Sequence, residues 1–290
     1  MVSILSVSNV YIFSKAALNM INIIQFGFYW FGMGILWNLL LSNKKVALSK
    51  IREIDKRTRW IYVLIGIMEI ISTTAFFYAI MTIENPSVAS FLGNLTPVFV
   101  TILGIVILKE KFNFLEITGA FLTLAGAFII SYKGNLTLES MFLPGTGYVL
   151  ISSIVYSIAT IIVKKNIDKM SPALLSLNRL VFIFAFATIL MIATGQSFSI
   201  PPKALYLIAI GSLLGPFLAA NAGYNALKYI EVSKKSILGS ARSFIVMLEA
   251  YLYFGTLPKQ YQIIGGIITV AGVLLVSMGK MLLKKERREG

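Results

Sequence analysis

The sequence contains no cysteine and no histidine. The first absence excludes disulfides, thiolate metal sites and cysteine nucleophiles. The second excludes imidazole catalysis and histidine proton relays. Charge is scarce as well: Asp, Glu, Lys and Arg make up 13% of the 290 residues, and only 12 residues are acidic. An ordinary soluble domain carries about 25% charged residues. Phosphate loops, metal-ligand clusters and nucleophile–His–acid sets are also missing, so no metal, cofactor or catalytic constellation is expected. No basic leader with a small-residue cleavage site precedes the first apolar run, which is therefore expected to be a retained helix. What fills the chain instead is apolar side chain, 57% of the total. A soluble fold cannot hide that much, and the bilayer is the expected solvent.

Apolar segments follow one another with short polar joints. A helix needs about 20 apolar residues to cross the hydrocarbon core. The approximate spans are 2–20, 23–42, 60–81, 87–108, 114–132, 145–164, 172–194, 204–227, 232–254 and 261–282, which predicts ten helices. The net charge of +14 is gathered in the joints. With the N-terminus placed in the cytoplasm, twenty Lys and Arg fall inside, in the clusters 44–59, 109–111, 164–169, 228–235 and 280–288. Only Lys133, Lys203 and Lys259 fall outside. That bias places both termini in the cytoplasm and agrees with an even number of spans. It also explains the basic balance without nucleic acid, which would call for a basic stripe on a polar surface.

The chain repeats itself. Gly119 to Ser131 reads GAFLTLAGAFIIS, and 146 residues on, Gly265 to Ser277 reads GGIITVAGVLLVS. The same shift aligns Ala75–Gly134 with Asn221–Lys280 without a gap, and 12 of those 60 pairs are identical. The charges do not repeat: Lys109 and Lys111 correspond to Gly255 and Leu257, and Val88 and Ala89 to Lys234 and Lys235. Five helices per half turn the second half over in the membrane, so corresponding joints face opposite sides. Inverted repeats of this kind are the architecture of many secondary transporters, with the substrate site near the midplane. The expected units are 1–133 and 145–283, followed by a basic cytoplasmic tail at 284–290. Gly119 and Gly126, two turns apart, read as a packing face that lets helix backbones approach in lipid.

The segment SVASFLGNLTPVFVTILGIVILKEK at 87–111 and the Gly-spaced helix after it resemble the drug/metabolite transporter superfamily, specifically its ten-helix EamA-domain exporters. Half-degenerate copies at 232–257 and 261–282 extend the resemblance over nearly the whole chain. It implies alternating access to a central cavity in a bacterial-type plasma membrane. Cargoes would be small metabolites such as amino acids, generally moved outward though importers occur, with a coupling proton or ion. Either a monomer or a homodimer is compatible. The sequence departs from the pattern at Ser243, where the first half has Pro97, and at Thr256, where it has Glu110. The second helix carries Tyr29 and Trp30 where many relatives have an Arg.

Ionisable residues inside a span cost at least about 2.5–3.5 kcal/mol and need a reason. Glu69 and Arg242 fall near the midplane, Glu249 two turns beyond Arg242, Arg179 in the inner part of helix seven and Lys15 in the outer part of helix one. Arg242 would hold a carboxylate or phosphate of the cargo, and Glu69 or Glu249 an amine or a proton. The alternative is a structural ion pair of Glu69 or Glu249 with Arg242. Lys15 and Arg179 read as snorkelling or interfacial anchors. Pro97 and Pro216 should interrupt their helices, because proline cannot donate to the carbonyl four residues back. Asn94, Asn221 and Asn225 lie near these breaks, as cargo ligands or as glue between helices. Tyr78, Tyr156 and Tyr224 are candidates for stacking on cargo, or for packing. The reading is a secondary transporter, favouring export. An importer of the same fold, a non-transporting membrane scaffold and a membrane-embedded enzyme are the rivals.

Overall fold

The computed structural model describes residues 2–41, 54–108, 113–132, 142–223 and 232–289. These are helical almost throughout, and no strand is present among them. In chain order the helices are α1 (Val2–Leu18), α2 (Ile23–Leu41), α3 (Lys56–Thr82), α4 (Pro86–Leu92), α5 (Leu95–Leu108) and α6 (Phe114–Ser131). They continue as α7 (Thr146–Asn166), α8 (Pro172–Ala193), α9 (Pro202–Ser212), α10 (Val232–Phe254) and α11 (Gln260–Glu289). A short 3-10 turn, Ile167–Lys169, follows α7, and a π-helical stretch, Leu213–Ala219, extends α9.

Polar residues in the joints start these helices. Asp55 caps α3 by accepting the Thr58 amide, and bonds from the Thr58 hydroxyl and amide hold its carboxyl below the ordinary range. Asn85 caps α4 with Pro86 at the first helical position. Asn113 and Glu116 form a capping box on α6. Between such caps the segments are apolar on every side, which suits helices solvated partly by protein and partly by lipid. Eight segments of the described residues are long and apolar enough to cross a membrane, and α4 and α5 together form one of them. The 17-residue α1 and the charge-bearing α10 are not among the eight.

The breaks fall close to the two prolines, each in its own way. The sequence puts Pro97 in mid-helix, but the helix parts earlier, at Gly93 and Asn94, and Pro97 sits in the first turn of α5. A proline is tolerated there because that amide would have no partner. The Gly93 carbonyl takes the Thr96 amide instead, at 3.1 Å. Around Pro216 the helix widens into the π-helical stretch rather than stopping. Near its entry, Trp37 Nε1 donates to the Ala209 carbonyl at 3.2 Å and to Ser212 Oγ at 3.1 Å.

The repeated stretches pack on each other. A Cβ placed on Gly119 would lie 2.5 Å from the Gly272 carbonyl oxygen, and one on Gly126 would lie 2.6 Å from that of Gly265. The reverse contacts are 2.6 Å from Gly272 to the Gly119 oxygen and 2.8 Å from Gly265 to the Gly126 oxygen. The lower number on α6 meets the higher on α11, so the two helices run antiparallel. Exchanging the two stretches maps each contact onto another in the set. At these distances only glycine allows the approach. Thr123 and Thr269, fully buried, complete the seam.

Gly126→Val is therefore expected to destabilise the protein by at least about 1–3 kcal/mol, the usual cost of overpacking a tight contact. Thermal unfolding in detergent checks this. Gly147→Ala, where an added Cβ would meet nothing within 4 Å, should leave the midpoint unchanged.

Candidate functional site

Two groups of charged side chains are built on different helices. The first joins α3 to α8. Glu69 is buried, at 2% exposure, and its Oε2 lies 3.3 Å from Arg179 Nε. Thr73, one turn along α3, donates to Glu69 Oε2 at 3.4 Å and accepts from Arg179 Nη2 at 3.2 Å. The sequence suggests a snorkelling or anchoring Arg179; instead its guanidinium turns to the carboxylate that burial would otherwise leave uncompensated.

The second group joins α10 to α1. Arg242 and Glu249 are seven residues apart, about 10.5 Å along one face of α10. Glu249 Oε1 accepts from Ser8 Oγ at 2.9 Å and from Asn9 Nδ2 at 3.1 Å. Its Oε2 is buried without a hydrogen-bond partner among the described residues, and so is Arg242 Nε. The Arg242 guanidinium stands over the ring of Tyr11, 5.6 Å from its centroid, a cation–π arrangement. Neither carboxylate pairs with Arg242 among the described residues.

Tyr11 links the groups. Its ring meets Phe76 edge-on at 5.2 Å, and Phe76 lies two turns beyond Glu69 on α3. A Cβ on Gly93, at the break between α4 and α5, would lie 3.3 Å from the Tyr11 hydroxyl. Three elements thus converge on one ring of α1. The sequence reading missed Tyr11, Ser8 and Asn9. Their signal was the density of polar residues in α1, where Ser6, Ser8, Ser14 and Lys15 are all buried.

The remaining candidates separate. Asn94 is buried beside Arg242's neighbour, with Nδ2 donating to Ser243 Oγ at 3.4 Å and Thr269 Oγ1 at 3.5 Å. Ser243 in turn donates to the Ser90 carbonyl at 3.0 Å. Asn94 therefore ties the helix break to α10 and α11. Asn221 donates to the Phe217 carbonyl at 2.9 Å, inside the π-helical stretch. Tyr78 stacks on Tyr148 at 5.3 Å. Tyr156 is on an exposed face. Asn225 and Tyr224 lie outside the described residues. Lys15 is buried, and its Nζ donates to the Met81 and Ile83 carbonyls at 2.9 and 2.8 Å, capping the C-terminus of α3. Chemically, the arrangement offers one guanidinium and one carboxylate with buried atoms that no described residue bonds, beside an ion pair whose two charges already meet.

Known proteins resemble this chain over most of its length. The model of the EamA-like transporter family matches residues 1–132 and 143–278. An uncharacterized transporter of Synechocystis sp. is 21% identical over 86% of this chain and 74% of its own length. The uncharacterized transporter YyaM of Bacillus subtilis is 21% identical over 74% and 72%. An uncharacterized transporter of Archaeoglobus fulgidus is 26% identical over 70% and 71%. A solved crystal structure superposes with a TM-score of 0.65 over 97% of this chain and 98% of its own, at 15% identity, a likeness of fold alone.

Removing one partner of the first group leaves the other charge buried. Arg179→Gln is expected to cost about 1–3 kcal/mol, below the range for a fully enclosed pair because Arg179 is 28% exposed. The double change Glu69→Gln/Arg179→Gln should recover most of that loss. Chemical unfolding of the two singles and the double measures the coupling.

Proposed function

The chain belongs to the EamA-like transporter family, and on that premise we propose that it is a secondary exporter of a small anionic or zwitterionic metabolite, of amino-acid type, working by alternating access. The chain is a multi-pass membrane protein and a transporter rather than an enzyme. The further reading is ten spans in two inverted five-helix repeats, 1–133 and 145–283, in a plasma membrane with both termini cytoplasmic. The twenty-to-three distribution of cations supports the orientation. The reciprocal contacts of α6 and α11 support the repeat. Export rests on resemblance.

One observation carries the site assignment. Arg242 and Glu249 hold buried polar atoms that the described residues leave unused, and an intramembrane charge so placed is by default a functional group. Arg242 holds the carboxylate or phosphate of the cargo with its guanidinium, and Tyr11 fixes the plane of that group from behind. Glu249, positioned by Ser8 and Asn9, carries an amine or the coupling proton. Glu69, engaged by Arg179, is the second candidate for the amine or the coupling proton.

Cells expressing the parent chain are expected to release one small acid or amino acid that equally abundant Arg242→Gln does not release. Losing a charged hydrogen bond should weaken apparent affinity about 10- to 100-fold. Lys203→Gln, at an exposed position, should release as the parent does. Media that match across parent, variant and empty cells would contradict export.

A further inference from the structure

A small cavity opens where the start of α3 meets the end of α7 and the 3-10 turn behind it. Its volume is about 160 Å³, and Arg57, Thr58, Lys165, Asn166, Asp168 and Lys169 line it. Drug-sized ligands occupy pockets of roughly 300–1,000 Å³, so this one suits a small ion or headgroup. Three cations and one carboxylate give the lining a net charge of +2. None of the three cations has a salt bridge among the described residues. Asp55, nearby, caps α3 and feels the charge of Lys169, which it offsets in part, so Arg57 and Lys165 carry most of the excess. The N-terminus of α3 adds the positive end of its dipole. Apart from their share in the charge bias that sets orientation, these residues have no part in the proposed transport site.

The level of the cavity in the membrane can be read from α3. Trp60, 66% exposed, begins a stripe of exposed apolar residues that continues through Leu64, Ile67 and Ile71. The spacing of four, three and four keeps them on one face of the helix. A tryptophan at the head of a lipid-facing stripe marks the membrane–water interface. Arg57 lies one turn outside it, about 4.5 Å further along the axis. That is the level of lipid phosphates, with acyl chains alongside the stripe.

We propose that this cavity binds the phosphate group of an anionic phospholipid of the surrounding bilayer. Arg57, Lys165 and Lys169 supply the charge, Asn166 and Thr58 the polar floor, and the face from Trp60 to Ile71 receives an acyl chain. Basic pockets between membrane helices are known to take such headgroups. The bound lipid would tie α3 of the first half to α7 of the second by neutralising cations that repel across their joint. The proposal requires only that the chain spans a bilayer, and stands or falls independently of the cargo and the direction of transport.

Native mass spectrometry of the full chain from detergent tests it, with dioleoyl-phosphatidylglycerol and dioleoyl-phosphatidylcholine titrated separately. One phosphatidylglycerol should be retained roughly 10- to 100-fold more tightly than phosphatidylcholine, at about a factor of five per cation engaged. Arg57→Gln/Lys165→Gln/Lys169→Gln should bring it to the phosphatidylcholine level, whereas Lys203→Gln/Lys259→Gln should not. If the triple variant fails to fold, the single Lys169→Glu should still weaken retention severalfold. Equal retention by parent and variants would overturn the proposal, and so would equal retention of the two lipids. Inorganic phosphate displacing phosphatidylglycerol at equal concentration would assign the pocket to a soluble anion and overturn the lipid.

Discussion

The close approach of α6 and α11 governs much of what this chain can be. Inside a bilayer, hydrophobicity gives helices no reason to prefer one another over lipid tails, so association rests on packing and on polar contacts. Gly119 and Gly126 bring the α6 backbone against Gly265 and Gly272 of α11 at distances no other residue permits. The same carbonyls and amides meet from both sides. That reciprocity is what a two-fold relation between the stretches requires, and it gives the repeated words in the sequence a mechanical purpose. Asn113 extends the seam: it caps α6 and donates to the Gly279 carbonyl of α11 at 2.7 Å.

With that seam fixed, the remaining helices can hold charges where lipid would not tolerate them. Each intramembrane charge has found a different kind of neighbour. Glu69 has a guanidinium, Lys15 has two carbonyls at the end of α3, Glu249 has a hydroxyl and an amide, and Arg242 has an aromatic face. The first two meet an opposite charge or a pair of carbonyls. The last two keep buried atoms that no described residue bonds. A carrier needs both kinds, because a site whose groups all bond to each other has nothing left for a cargo.

Much of this was legible in the sequence, and the parts that were not share a cause. Apolar run length is a local property, so the approximate spans followed from it, whereas the caps at Asp55, Asn85 and Asn113 emerged only with the structure. The glycine face of α6 could be read as a packing surface from its spacing alone. The partners of charges could not be read, because pairing depends on which helices become neighbours. Nothing near Glu69 in the chain points to Arg179, and Arg242 gives no hint of Tyr11. The break beside Pro97 was placed a turn late for a physical reason: the proline ring forbids a bond to Gly93, but the chain resolves this by starting a new helix before the proline. Polar residues in α1 were visible as composition, and only their burial against α10 gave them a role.

The absence of cysteine makes the central claim directly accessible, since one introduced thiol will be the sole target for a thiol reagent. Ser8→Cys keeps a weak donor beside Glu249 and places a label where α1 faces α10. The measurement is its reaction with a membrane-impermeant maleimide, applied from each side of oriented vesicles, with and without the exported cargo. If this is a two-sided carrier whose path runs past Glu249, the thiol reacts from one side at a time and cargo changes which side. A thiol that stays inert from both sides under every condition would mean that the α1–α10 charges are structural, and would contradict the account.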